Sequence, residues 1–181
     1  MNGGLLLIPF LAVRFLLPPL FSKEALRRAA YFAPVAGAER TAYFVYQISN
    51  MAVFLALFFL KIETRRPWLL YGGAACYLAG LFLCAAALIS FSVPDETGFN
   101  RNGLYRYSHN PMYAAYFICF FGMALLLNSL FLLVLVFVFQ ISAHWIILSE
   151  ERWCIEKFGD AYRQYMEDVG RYFSYHRKRR T

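Results

Sequence analysis

MYAAYFICFFGMALLLNSLFLLVLVFVFQISAHWIIL, residues 112–148, is an apolar run too long to cross a bilayer once. As one helix it would reach about 55 Å, against about 30 Å of hydrocarbon. It must fold back, and the only strongly polar pair within it is Asn128-Ser129. That pair divides the run into pieces of roughly 24 and 30 Å, the lengths of a tight helical hairpin.

Working toward the N-terminus, Leu69 to Phe91 and Thr41 to Leu60 are each long and apolar enough to span. Leu5 to Phe21 is shorter and carries Arg14 and Pro18-Pro19, so a full span, a kinked one and a partly interfacial helix all fit. We read it as a span. It has no basic leader and no small-residue cleavage pattern, which disfavours a removed signal peptide. The expected fold is therefore all-α and polytopic, with about five transmembrane helices including the C-terminal hairpin, followed by amphipathic helices of a cytoplasmic tail.

Composition supports the same class. Of 181 residues 60% are hydrophobic and 19% aromatic, well above an ordinary soluble domain. The net charge of +7 does not point to nucleic acid, because the basic residues lie between and after apolar runs and form no aromatic-interleaved surface. It reads as topology. With the C-terminus inside, Lys23, Arg27, Arg28, Arg40, Arg101, Arg106 and the basic residues after Leu148 face the cytoplasm. Of the 18 Lys and Arg residues, Lys61, Arg65 and Arg66 alone fall outside, and Arg14 lies in the first span. The expected location is the inner membrane of a bacterium. Cys76, Cys84, Cys119 and Cys154 lie in or beside apolar segments with no Cys-x-x-Cys pair, so they read as packing thiols and no metal site is expected.

This orientation brings both ends of the hairpin to one membrane boundary. Gly103-Leu-Tyr105-Arg106-Tyr-Ser-His109-Asn110-Pro111-Met-Tyr113 precedes it, and Glu150-Glu151 follows. Ionisable groups at such an edge are costly unless paired or used, so a polar ligand is expected there. Gln140, His144 and Glu151 fall within about 60° of one another around one helix, a polar stripe leading to the boundary. Hydrogen-bonded packing residues between helices would give the same pattern. Beyond Glu151, Gly159 is a plausible helix stop and Asp160 a plausible cap. Phe158, Tyr162, Tyr165 and Val169 then recur at helical spacing, either as a helix lying on the membrane or as a lid over the site. The run from His176 to Arg180 reads as an anionic-lipid anchor.

Gly103 to Tyr113, the hairpin, Glu150-Glu151-Arg-Trp, Phe158-Gly-Asp-Ala-Tyr162-Arg-Gln-Tyr165 and Val169-Gly-Arg171 together resemble the C-terminal half of the isoprenylcysteine carboxyl methyltransferase and phospholipid methyltransferase superfamily. The resemblance covers about residues 103–172. His109 stands where the family usually carries Arg. A single domain over 1–181 follows, with N-terminal spans in 1–98, a cofactor-binding hairpin and tail in 99–173, and a basic tail in 174–181.

The resemblance implies S-adenosylmethionine as cofactor and a lipophilic acceptor, an isoprenylcysteine carboxylate or a related carboxylate, thiol or amine, entering from the membrane lipid. It implies cofactor contacts from Tyr105, Arg106, His109, Asn110, Pro111, Tyr113, Glu150, Glu151, Tyr162 and Tyr165, with Arg106 and His109 suited to the cofactor carboxylate. Glu150, Glu151 and His144 are the candidate catalytic groups. Two alternatives carry different chemistry: an NADPH-dependent relative of the membrane sterol reductases, and a lipid-binding scaffold with no activity.

Overall fold

The computed structural model describes residues 1–22, 27, 31–93 and 98–172. Lys23, Arg28 and the basic run 174–181, to which the sequence assigns topology and lipid anchoring, lie outside the described residues. Six helices form the described chain: α1 Leu7–Phe21, α2 Ala38–Phe59, α3 Pro67–Ser92, α4 Pro111–Leu126, α5 Leu130–Phe158 and α6 Asp160–Asp168. Short 3-10 turns at Gly3–Leu6 and Gly103–Arg106 lead into α1 and toward α4. The chain is an all-helical, polytopic membrane protein.

Gly3–Phe21, α2, α3 and α5 are long and apolar enough to cross a bilayer, whereas α4, with 16 residues, is shorter. Its 16 residues reach about 24 Å, and α4 is level with its neighbours where it ends. The Glu63 N–H donates to the Leu126 carbonyl at 2.9 Å, the Gly3 N–H to Leu60 and the Ile62 N–H to Met1. Residues 1–3, 60–63 and 126–129 thus share one end of the bundle. The hairpin turns where the polar pair stands: Asn128 takes a positive φ of 46°, and Ser129 caps α5 by accepting from the Leu132 N–H.

α3 and α4 form the tightest pair. A Cβ on Gly80 would clash with the Cys119 backbone and one on Gly122 with the Tyr77 backbone, while Gly73 lies against Leu126. Small residues let the backbones meet, and van der Waals contact replaces the hydrophobic drive that lipid does not supply. From the Gly73 level α3 runs about 28 Å to Ser92 and α4 about 22 Å to Pro111. The loop before α4 is therefore recessed by about one helical turn. In the middle of the bundle Phe10, Phe120, Phe139 and Tyr46 interlock, with Phe10 and Phe120 rings 5.0 Å apart and Tyr46 stacked on Phe139 at 4.7 Å.

The tail is helical, as its spacing predicts, with one detail changed. α5 continues through Glu150-Glu151 to Phe158, and Gly159 at φ 61° ends it. Asp160 does not cap α6 but is its first residue, since Gly159 holds the cap position. The apolar face of α6 is not turned to lipid. Tyr162, Tyr165 and Val169 are buried with Phe99 in a second small core.

Candidate active site

A cavity of about 500 Å³ lies where the recessed loop, the end of α5 and the tail meet the inner ends of α1 and α2. This is within the range of small-molecule sites, about 300–1,000 Å³. Its tail end is aromatic. Phe99 packs on Tyr162 at 5.2 Å and Tyr165 at 5.5 Å between ring centres, and the Tyr165 hydroxyl donates to the Tyr105 carbonyl at 2.7 Å. Burial pushes the Tyr105, Tyr162 and Tyr165 phenols well above their ordinary range, so they act as neutral donors and ring faces. Its membrane end is bounded by Arg14 on α1, Tyr46 on α2, and Tyr113 and Tyr116 on α4.

The adjacent glutamates have separate surroundings, because neighbours on a helix point about 100° apart. Glu150 lines the cavity, and its Oε1 accepts from the Tyr113 hydroxyl at 2.7 Å. Glu151 is buried away from it. Arg171 grips both its oxygens, Nε to Oε1 and Nη2 to Oε2 at 2.7 Å each, and His109 Nε2 lies 2.8 Å from Oε1. Such bidentate, charge-assisted contacts are among the strongest a carboxylate makes. They also hold Arg171 in its charged form beyond its ordinary value.

Around that cluster the tail is stitched to the loop. His109 Nδ1 lies 3.1 Å from the Val169 carbonyl oxygen, the His109 N–H donates to Gly170, and the Ser108 hydroxyl to the Arg171 carbonyl at 3.0 Å. Asn110 donates from its N–H to Ser108 Oγ. Its side-chain amide approaches the Arg171 carbonyl at 3.4 Å. Pro111 follows at the first position of α4, where its missing N–H costs nothing. The 108–111 motif is thus a splice between hairpin and tail.

Of the residues singled out from sequence, Tyr105, His109, Asn110, Tyr113, Glu150, Tyr162 and Tyr165 line the cavity. Arg106 is exposed, and Pro111, Glu151 and His144 are not on the wall. The polar stripe therefore divides. His144 Nδ1 bonds the Tyr172 hydroxyl at 2.9 Å, and Gln140 Oε1 is buried without a hydrogen bond among the described residues. Phe99, Asn100, Lys157, Tyr116, Tyr46 and Arg14 line the wall without having been singled out as site residues. The one hint in sequence was Arg14, an ionisable residue within an apolar segment.

An all-helical bundle with a largely apolar and aromatic cavity, set with a few polar groups, between its spans and a folded tail has the form of a membrane protein with a candidate small-molecule site. The phospholipid methyltransferase family model matches residues 68–161, from the start of α3 through the hairpin to the start of α6, and the chain belongs to that family. It is thus a member of a family of membrane methyltransferases. No curated protein matches the chain at a significant level.

Proposed function

We propose that the protein transfers a methyl group from S-adenosylmethionine to a lipophilic acceptor at the cytoplasmic boundary of the membrane. One observation carries the reading: a single cavity joins an aromatic cage on the tail to a polar pocket between the spans. A donor with an adenine ring and an acceptor arriving from lipid can meet there.

The wall suits the donor's chemistry. Asn100 Oδ1 is a buried acceptor with no hydrogen bond among the described residues, ready for an amino group. Phe99, Tyr162 and Tyr165 present ring faces for adenine or for a sulfonium. Lys157, its ammonium 4.5 Å from the centre of the Trp153 ring, lines the wall, as does Arg27, and either can meet a carboxylate. With Arg106 exposed and His109 engaged by Glu151, the carboxylate role moves to Lys157 or Arg27. When bound, S-adenosylmethionine supplies an electrophilic methyl group on a positively charged sulfur.

The chain's own residues then position and exclude water. Glu150, steadied by the Tyr113 hydroxyl, takes the proton of an amine or thiol acceptor, while a carboxylate acceptor needs no base. Glu151, His109 and Arg171 act through the tail by holding α6 over the cage, and His144 acts through Tyr172. The methylated atom reaches Glu150 from the side of α1 and α2.

Calorimetry of the protein in lipid nanodiscs with S-adenosylhomocysteine and with NADPH tests the donor. Binding of the first alone is expected; binding of NADPH alone assigns reduction, and binding of neither removes the enzymatic reading. Transfer from radiolabelled donor to prenylated cysteine analogues, phosphatidylethanolamine and short-chain thiols tests the acceptor. A short-chain thiol methylated as well as every lipophilic substrate would refute it.

A further inference from the structure

Glu150 is the only carboxylate among the described residues of the cavity wall. Glu151 has Arg171 and His109 to balance its charge, whereas Glu150 accepts from a neutral phenol, that of Tyr113. A carboxyl in a largely apolar cavity, next to a second carboxylate, favours its neutral form unless a cation faces it. Tyr46 on α2, Tyr113 and Tyr116 on α4 and Tyr105 on the loop before α4 bring only phenols. On α5 itself Cys154 stands one turn on, a thiol that burial keeps neutral, and Lys157 two turns on, against the Trp153 and Phe158 rings. Arg27 also lines the wall, from the segment between α1 and α2. The remaining cation is Arg14 on α1, outside the matched residues 68–161, and the register of α1 places it at the membrane end. Phe10 packs on Tyr116 and Phe120, with ring centres 5.7 and 5.0 Å away. Arg14 follows one turn nearer the cytoplasmic end, its guanidinium carbon 5.4 Å from the centre of the Tyr116 ring. Tyr113 is one turn from Tyr116 on α4, so two neighbouring phenols link the cation to the carboxylate along one wall, and the two charges act on each other.

We propose that Arg14 is a positioning residue for proton transfer, whose charge keeps Glu150 ionised and so able to take a proton from an amine or thiol acceptor. The inference rests on the methyl-transfer reading, with Glu150 as the base. Guanidinium suits the task because it stays charged in apolar surroundings where an ammonium readily loses its proton. In a water-poor cavity its field also reaches further than at a surface. During transfer the acceptor's lone pair takes the methyl group, the carbon–sulfur bond breaks with its electron pair left on sulfur, and the acceptor's proton passes to Glu150. Arg14 then favours loss of that proton to water at the cavity mouth, which restores the base. A carboxylate acceptor has no proton to give, so Arg14 matters for amines and thiols and not for carboxylates.

The test reads the charge of Glu150 directly. Infrared spectra of the full chain in phosphatidylcholine nanodiscs, with glutamate carboxyl groups isotope-labelled, are taken with and without Glu150→Gln, and the difference isolates the Glu150 band. At neutral pH the wild type should show a carboxylate, Arg14→Gln a protonated acid, and Arg14→Lys mostly a carboxylate. Arg14→Met, which suits an apolar span, replaces Arg14→Gln if that variant fails to fold. A protonated Glu150 in the wild type overturns the proposal, as does a carboxylate retained in a folded neutral variant. Transfer is followed in parallel. In Arg14→Gln, methylation of phosphatidylethanolamine or a thiol should fall about tenfold at neutral pH and recover as the pH rises by about one unit. General damage to the fold would instead lower the rate at every pH and for a carboxylate acceptor as well. A Glu150 charge that depends on Arg14, with no transfer to any acceptor, keeps the pairing and sinks the methyl-transfer reading; transfer with a Glu150 charge indifferent to Arg14 sinks the pairing alone.

Discussion

Glu150 and Glu151 are consecutive, yet one side chain belongs to the cavity and the other to the scaffold, and substitution separates them. Glu151→Ala leaves His109 and Arg171 facing a void. Breaking a buried ion pair costs about 3–5 kcal/mol, and the lower end applies because the Arg171 side chain is 37% exposed. The variant should melt several degrees lower, and limited proteolysis should cut first in α6, since the splice at 108–110 is lost. Glu150→Gln keeps an acceptor for the Tyr113 hydroxyl, so stability should change by less than about 1 kcal/mol. Transfer to an amine or thiol should nevertheless fall about 10²-fold or more, as for loss of a general base. Equal stability loss in both variants would dismiss the division of labour. The pair was legible in sequence as a feature, and its split was not. Which of two neighbours meets Arg171 depends on where the chain returns after a glycine turn at 159, and no local pattern encodes that.

At the scale of elements, helix lengths and the Asn128-Ser129 turn were readable because a polar pair inside an apolar run has few other uses. The recess of α4 was not, because it depends on the level at which α4 meets α3. That level is set by Gly73, Gly80 and Gly122, and a control lies on the same helix. A methyl on Gly72 would meet nothing within 4 Å, whereas one on Gly80 would collide with the Cys119 backbone. Gly72→Ala should be neutral or stabilising by up to about 1 kcal/mol through helix propensity. Gly80→Ala should destabilise by about 1–3 kcal/mol, as overpacking does. Reversible unfolding in mixed micelles measures both. If Gly80→Ala is as benign as Gly72→Ala, close approach is not what fixes the register. For α6 the sequence left two readings open, membrane surface or lid. Phe99 decides between them, a residue that precedes the hairpin and that no periodicity connects to the tail.

For the molecule as a whole, the family match covers the C-terminal helices, but the cavity wall is completed by α1, α2 and the residues between them. Arg152 on α5 fastens that side, gripping Glu39 through both carboxylate oxygens at 2.6 and 2.7 Å and the Pro34 carbonyl at 3.0 Å. Tyr31 meanwhile leans on Trp153 at 5.3 Å. The N-terminal spans looked featureless in sequence because their contribution is single side chains placed by packing, not a motif. The same arrangement fixes a topology. Met1, Lys61, Glu63 and Leu126 share one end of the bundle, while Tyr105, Glu150 and Tyr165 share the other. If α4 crosses as the fifth span, as the sequence reading expects, the N- and C-terminal ends lie on opposite sides, and the positive-inside bias then predicts a cytoplasmic cavity. In a variant whose four cysteines are replaced, single cysteines at Lys61 and Asn128 should react with an impermeant maleimide only from outside, and ones at Arg106 and Arg163 only from inside. Labelling of Asn128 and Arg106 from the same side would mean that α4 does not cross, and the recessed site would then have to be rebuilt around a re-entrant helix.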